Sequence, residues 1–512
     1  MAAFSADVET RIESITNRIL FIGLDAADKD LILQWARSGE LPHFRSLLEN
    51  GAWSPTSNPP GLYVGAVWPS FYTGVSPAEH GRYCYAQLRT GSYETPRFSP
   101  SQVAHEPFWN VLSRADRRVA IVDVPKTVPS VALNGCQLVD WGTHDPDHGY
   151  SSWPAELATE VENRFGHPLF KCDHLAAQPQ GLKILRDRLV SRVETRAHLC
   201  EHLRAQEDWD LFAAVFSESH CAGHQFWHVH DSGHPRHDAA LAQELGDPIL
   251  QIYKALDAAV GRLLEQVSKE TTVFVLASHG MGPHYDATFL LDEILHRLQN
   301  SHLSRAGRIG SSLLRCGKNR TPRRIRKLLR PLRALFRGDL DAGMAGRKCF
   351  AIPNNDVYGA VRINQIGREP HGLIPPGEQC AAFAHQLSQD LLQLTTDSGE
   401  PVVRRVLQTA DLYEGTLLDT LPDLLIEWNR EKPISFVHSP KIGTIRRRFA
   451  GRRTGDHKAD GLLMALGPSI RSGRLEQPIS VMDFAPTIAS LLDVPLPYTD
   501  GRVITPLAAV RK

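Results

Sequence analysis

Five short apolar runs, each stopping at a polar or glycine-rich loop, limit what this chain can fold into more than any other feature. The first, Arg18-Ile-Leu-Phe-Ile-Gly-Leu-Asp25, ends in an acid. Apolar residues at helical spacing follow it (Leu31, Leu33, Trp35, Leu41, Phe44, Leu47, Leu48), with a stop at Gly51. The other runs are 119–124, 211–216, 273–277 and 462–466. Unbroken apolar runs of this length suit strands buried on both faces, the pattern of a parallel sheet. Strands alternating with helices predict an α/β sandwich: a central, mostly parallel sheet flanked by helices. Ligands of such sheets bind beyond the carboxyl ends of the strands, where Asp25, His220, Ser278 and His279 fall.

A length of 512 residues admits one large α/β unit with insertions, or two to four smaller ones. No Pro- or Ser-rich linker marks a second unit, so one catalytic domain is expected over 18–512, after an N-terminal helical extension at 1–17. Lys and Arg balance Asp and Glu at 57 each, yet twelve of the basic residues and none of the acids fall within 301–338. Apolar residues at helical spacing there, broken by Pro322 and Pro331, predict a basic helical cap inserted at about 300–345. Its single aromatic, Phe336, argues against nucleic-acid binding; a cap over a small anionic substrate suits the basic stretch at least as well as contact with an anionic membrane surface.

No run nears the roughly 18 apolar residues of a membrane span, and 1–17 mixes charged with apolar residues. No transmembrane segment and a cytoplasmic location are expected, with homo-oligomerisation left open. The eight cysteines are scattered without a Cys-x-x-Cys pair, so reduced thiols are expected, Cys221 being a small buried filler.

Candidate chemistry is densest at 216–237, where His220, His224, His228, His230, His234 and His237 crowd together. Two histidines four apart can face one ion from a single helical turn, and imidazole is the commonest transition-metal ligand at neutral pH. His220 and His224 are the expected ligands, and His228, His230 and His237 are expected to be solvated or hydrogen-bonded. Ser278-His279-Gly280 and Asp456-His457, with Gly461 after it, place further histidines in glycine-rich turns, where the backbone can approach a bound group closely. Arg446, Arg447, Arg448, Arg452 and Arg453 shortly precede His457, and guanidinium groups suit a bidentate grip on phosphate or carboxylate, so these five are the expected substrate-binding residues, with a solvated basic loop as the equal alternative.

The chain carries an ordered set of short motifs. It begins with Gly23-Leu24-Asp25, Leu41-Pro42, Gly51-Ala52-Trp53, Trp68 through Thr73-Gly74, Pro77 and His80-Gly81. It continues with His224-x-Phe-Trp, His279-Gly280, Tyr413-x-Gly415 with Pro422-Asp423, His457-x-x-x-Gly461 and Gly467-Pro468. In this order the set resembles the alkaline phosphatase superfamily. The nearest branch is the predicted phosphohydrolase/phosphomutase group, beside the type I phosphodiesterase/nucleotide pyrophosphatases. The resemblance runs from about residue 18 to the C-terminus. It implies an alkaline phosphatase-like sandwich and two metal ions clamping the attacking and leaving oxygens of an in-line displacement. Asp25, His224, His279 and His457 match ligand positions of that pattern.

Three positions depart from it. The Ser/Thr nucleophile is replaced by Val64, an expected acid by His220, and an expected Asp by Ser278. The second ion loses its nucleophile oxygen and one carboxylate, keeping Asp25 and His279, while His220, His224 and His457 form a three-histidine set suited to zinc, with iron or manganese as alternatives. The expected function is a metal-dependent hydrolase of a phosphate ester, diester or related anionic ester, using a metal-bound water, with Asp25 and His279 as general base or orienting groups. Two other readings stand beside it: a repurposed non-hydrolytic metalloenzyme (redox, lyase or group transfer) in a biosynthetic pathway, and a catalytically silent binding or scaffold protein. The gain of a ligand at His220 counts against the last.

Overall fold

The computed structural model describes residues 18–507 except 132, 168–170, 178–179, 301–343 and 356. The expected extension at 1–17 and nearly all of the basic insertion lie outside the described residues. Along Arg18–Leu24, Ile19 and Phe21 enter one hydrophobic core while Leu20, Ile22 and Leu24 enter another, so this strand is covered on both faces. It pairs in parallel with Leu211–Phe216 on one side and Thr271–Ala277 on the other. Val119–Val122 and Gly135–Val139 continue the parallel set beyond Leu211–Phe216. Helices Lys29–Arg37, Pro42–Asn50, Gly181–Arg204, Glu218–His230 and Pro248–Glu265 cover one face, and Tyr63–Thr73, Phe108–Arg114 and Phe484–Leu491 the other.

All five apolar runs are strands of this mixed sheet, but the last, Gly461–Leu466, is antiparallel to both of its neighbours, Thr271–Ala277 and Ala52–Ser57. The chain reaches it through a ribbon, Gly455–Lys458 paired antiparallel with Gly280–Pro283, and antiparallel strands need no helical crossover. That ribbon sets His457 opposite Met281, close to His279. A second, four-stranded antiparallel sheet (Val403–Gln408, Leu424–Trp428, Tyr358–Ile363, Cys349–Ile352) builds its own core with helices Thr288–Gln299 and Glu378–Leu392. No described helix is long and apolar enough to cross a membrane.

One buried ionic network fixes the helix that carries the paired histidines. Arg192 and Arg196 both reach Glu218, its first residue, at 2.7 and 3.4 Å, and Arg196 also binds Asp123 at 2.5 Å. Removing either partner of such a pair leaves a buried charge uncompensated, which ties the start of Glu218–His230 to the sheet.

Candidate functional site

The carboxyl ends of three adjacent strands converge, as the sheet geometry predicts. Asp25 follows Arg18–Leu24 and donates its backbone N–H to Phe216. Ser278 and His279 follow Thr271–Ala277, and His220 and His224 lie on the helix after Leu211–Phe216. His457 enters on the ribbon. The rings of His220, His224 and His457 stand with centroids 4.8–5.0 Å apart, and His279 lies 4.7 Å from His457. A Cβ at Gly455 would come within 2.1 Å of the Gly223 carbonyl, so glycine is needed where the ribbon crosses the helix.

Hydrogen bonds settle which ring nitrogen carries the proton. His224 Nδ1 faces the Gly455 carbonyl at 2.9 Å, and a carbonyl only accepts, so Nδ1 carries the proton. His220 Nδ1 donates to Asp25 Oδ2 at 2.6 Å. Asp25 Oδ1 accepts from Trp68 Nε1 at 2.8 Å, with Ser278 Oγ 3.5 Å away. Burial pushes the Asp25 carboxyl up, but His220, the bond from Trp68 and nearby His279 outweigh it and hold the group well below the usual carboxylate range. Burial, reinforced by His144, brings His220 down to about 3, and burial brings His279 down to about 4 against the opposing pull of Asp25. Burial also pushes His224 and His457 well below their ordinary value. All four imidazoles are therefore neutral at pH 7.

Neutral rings protonated at Nδ1 present the Nε2 lone pairs of His220 and His224 towards each other, 3.2 Å apart. Ligand nitrogens on one edge of a tetrahedral zinc site, each ~2.0–2.1 Å from the ion, stand about 3.3 Å apart. The Asp25–His220 and Gly455–His224 bonds are the outer contacts that orient metal-binding imidazoles. The donor set thus fits a divalent ion, with Asp25 placed behind His220. His279 Nε2 and His457 Nδ1 lie 3.0 Å apart and can share one proton or one ion. Asp456, buried beside His457, extends the set: one ligand atom each from His224, Asp456 and His457 lie within 4.8 Å of one another, as do those of His144, His220 and His224.

These groups line a cavity of about 300 Å³. Of the five arginines expected to hold substrate, only Arg453 lines it. Arg446 and Arg447 are exposed and lie over the rings of Phe436 and Phe289, Arg448 is exposed, and Arg452 borders a separate cleft with His228 and Arg236. The strand Gly443–Arg446 turns its arginine away from the site. Arg82, Arg97 and Lys126 line the cavity instead, with Arg82 and Lys126 both paired to Asp147. Val64, at the start of the helix Tyr63–Thr73, forms part of the wall with Gly65 and Trp68.

Sequence reasoning missed several residues here. His144 stacks on His220 with ring centroids 4.1 Å apart. Its segment, His144-Asp145-Pro-Asp147, follows the strand Gly135–Val139, and that strand-end position with two acids was the available signal. Asp456 was signalled only by standing next to His457. His228, His230 and His237 are hydrogen-bonded to Thr454, Asp247 and the His228 carbonyl, as expected. The thiols depart from expectation, because Cys221 is joined to Cys172 in a disulfide. The two are 49 residues apart, so no local motif marks them.

The profile of the type I phosphodiesterase / nucleotide pyrophosphatase family matches residues 19–427, a span that includes Asp25, His220, His224 and His279 but ends before His457. No curated protein sequence matches significantly. Among solved structures, human ectonucleotide pyrophosphatase/phosphodiesterase 5 is 12% identical, with a TM-score of 0.48, covering 95% of this chain and 97% of its own. Phosphonoacetate hydrolase from Sinorhizobium meliloti 1021, in complex with phosphonoformate, is 13% identical, with a TM-score of 0.49, covering 94% and 96%.

Proposed function

Because the chain belongs to the type I phosphodiesterase / nucleotide pyrophosphatase family, we propose that it is a metal-dependent hydrolase of phosphate esters or diesters in which water takes the place of a side-chain nucleophile. The observation that carries the reading is the pair of Nε2 lone pairs, His220 and His224, held 3.2 Å apart by Asp25 and by the Gly455 carbonyl. Two lone pairs facing each other in a buried site repel unless a cation meets them, and the Arg453 guanidinium, 3.3 Å from His224 Nε2, meets only that one of the two. A divalent ion there, zinc by preference over iron or manganese, would lower the pKa of its water towards ~7 and offset charge on the phosphoryl oxygens.

The remaining work falls to the chain. Asp25, kept ionised, fixes the tautomer and direction of His220, and Ser278 and Trp68 hold Asp25. His279, neutral and 3.0 Å from His457, positions that ring. Arg453, Arg97 and Lys126 offer cationic groups to an anionic ester at the cavity wall, where Asp25, Asp145, Asp147 and Asp456 also stand, so the attraction is local to those side chains. Val64 supplies no hydroxyl, so the attacking oxygen comes from solvent.

The test is elemental analysis of the purified protein alongside turnover of bis(4-nitrophenyl) phosphate, for the wild type and His224→Ala. About one zinc per chain, lost together with turnover in the variant, is expected. A wild-type protein that binds metal and turns over no phosphoester would refute the hydrolase. Iron or copper in place of zinc would redirect attention to redox chemistry.

A further inference from the structure

Arg453 stands at the edge of the histidine cluster with one N–H 3.3 Å from His224 Nε2. Its other donors face Asp173 at 3.0 and 3.2 Å and Asp145 at 3.4 Å. Asp173 belongs to the four-residue helix Cys172–Leu175 and also accepts from Gln225, one residue past His224. A single helical turn is unstable by itself, so tertiary ties must hold it in place. One such tie is covalent: Cys172 is bonded to Cys221, which lies between His220 and His224 on the helix Glu218–His230. The contacts close a ring, running from His224 through Cys221, Cys172, Asp173 and Arg453 back to His224.

The setting of this disulfide differs from that of an inert structural bridge. Cys221 Sγ has His144 Nδ1 at 3.0 Å and the Arg192 guanidinium at 3.8 Å. N–H donors this close to the sulfur can hydrogen-bond a departing thiolate, which favours exchange. Both cysteines are buried, Cys172 at 5% exposed and Cys221 at 0%, so Cys172 is the one nearer the surface.

We propose that Asp173 is the positioning residue that aims Arg453 at the anionic group of the substrate, and that the Cys172–Cys221 bond is a thiol-reducible clasp holding Asp173 in place. The identity of that anionic group rests on the hydrolase reading; the clasp does not. A dithiol reductant opens it: one thiolate attacks Cys172 Sγ and expels Cys221 as a thiolate, and the second thiol then displaces Cys172 and closes the reductant into its own disulfide. Two electrons pass to the protein, and each cysteine gains one proton. Exchange with a low-molecular-weight disulfide reverses the step. With the clasp open, the single turn loses its covalent tie, and Asp173 no longer fixes the guanidinium.

The full-length protein is treated with dithiothreitol or left oxidised, and three quantities are measured: alkylation of Cys172 and Cys221 by peptide mass spectrometry, the rate at which phenylglyoxal labels Arg453, and the Kd for inorganic phosphate. Reduction is expected to expose both thiols, and to raise the labelling rate and the phosphate Kd by roughly tenfold, the effect of losing one charge-assisted contact. Asp173→Asn in the oxidised protein should reproduce the faster labelling and weaker binding and make both indifferent to reductant. Cys172→Ser should behave as the reduced protein does. Thiols that alkylate fully before reduction overturn the proposal. So do labelling and phosphate binding that stay the same across the two redox states. Phosphodiester turnover separates the two readings. Its absence in both states, with redox-dependent labelling of Arg453, defeats the hydrolase and leaves the clasp standing. Turnover with redox-indifferent labelling defeats the clasp alone.

Discussion

Asp25 Oδ2 accepts a 2.6 Å hydrogen bond from His220 Nδ1, so the acid directly after the first strand stands behind a histidine and orients it. Asp25→Asn keeps the volume but removes the charge that holds His220 in its Nδ1-protonated form. Loss of an outer partner of this kind typically costs ~10–100-fold in metal affinity. Zinc titration against a fluorescent chelator should show a loss in that range, with the far-ultraviolet circular dichroism spectrum unchanged. Unaltered affinity would place Asp25 outside the ion's support.

The arginines divide by geometry. Arg97→Ala and Lys126→Ala each remove a cation from the cavity wall, and a charge-assisted contact is worth ~1.5–3 kcal/mol, so KM for an anionic ester should rise by at least tenfold. Arg446→Ala and Arg447→Ala, which remove side chains lying over Phe436 and Phe289, should leave KM unchanged. Steady-state kinetics on the four variants checks this, and the opposite ranking would return the substrate to the arginine-rich segment.

Val64 lines the cavity wall, and the proposed function has water attack there in place of a side-chain nucleophile. If solvent supplies the attacking oxygen, Val64→Ala should keep kcat within a few-fold of wild type, and quenched-flow mass spectrometry of the wild type should find no phosphorylated protein. A covalent adduct on any residue would show that a nucleophile has been overlooked.

Stability should fall with acid over a defined window. Burial lowers His80 from 6.5 to about 3, reinforced by nearby Arg82, and His80 is locked between Ser70 Oγ and the Arg82 backbone N–H. His220 at about 3, and His279 and His228 at about 4, act in the same direction. Between pH 6.5 and about 3 the unfolded chain binds protons at these positions while the folded chain does not, so unfolding becomes easier as pH falls. The contribution is fully present above pH 6.5. Urea denaturation of the metal-free protein at pH 7, 6 and 5 should give progressively lower midpoints, with a shallower trend in His80→Asn. A midpoint independent of pH would contradict the burial of these rings.

Period and spacing carried the local part of this protein. The five apolar runs became the strands they predict, because a strand buried on both faces has no polar side and shows this in any window of its sequence. Their ends located Asp25 and His279, and the four-residue interval between His220 and His224 put both rings on one helical face. What the interval could not reveal is which nitrogen each ring offers. That depends on the Gly455 carbonyl, 231 residues from His224, and on Asp25, 195 residues from His220. The same holds for His144 against His220, for Arg453 as the one of five arginines that turns inward, and for the Cys172–Cys221 bond. Each is a partnership between segments distant in sequence, selected by how the sheet and helices pack, and no local propensity records which partner packing will supply.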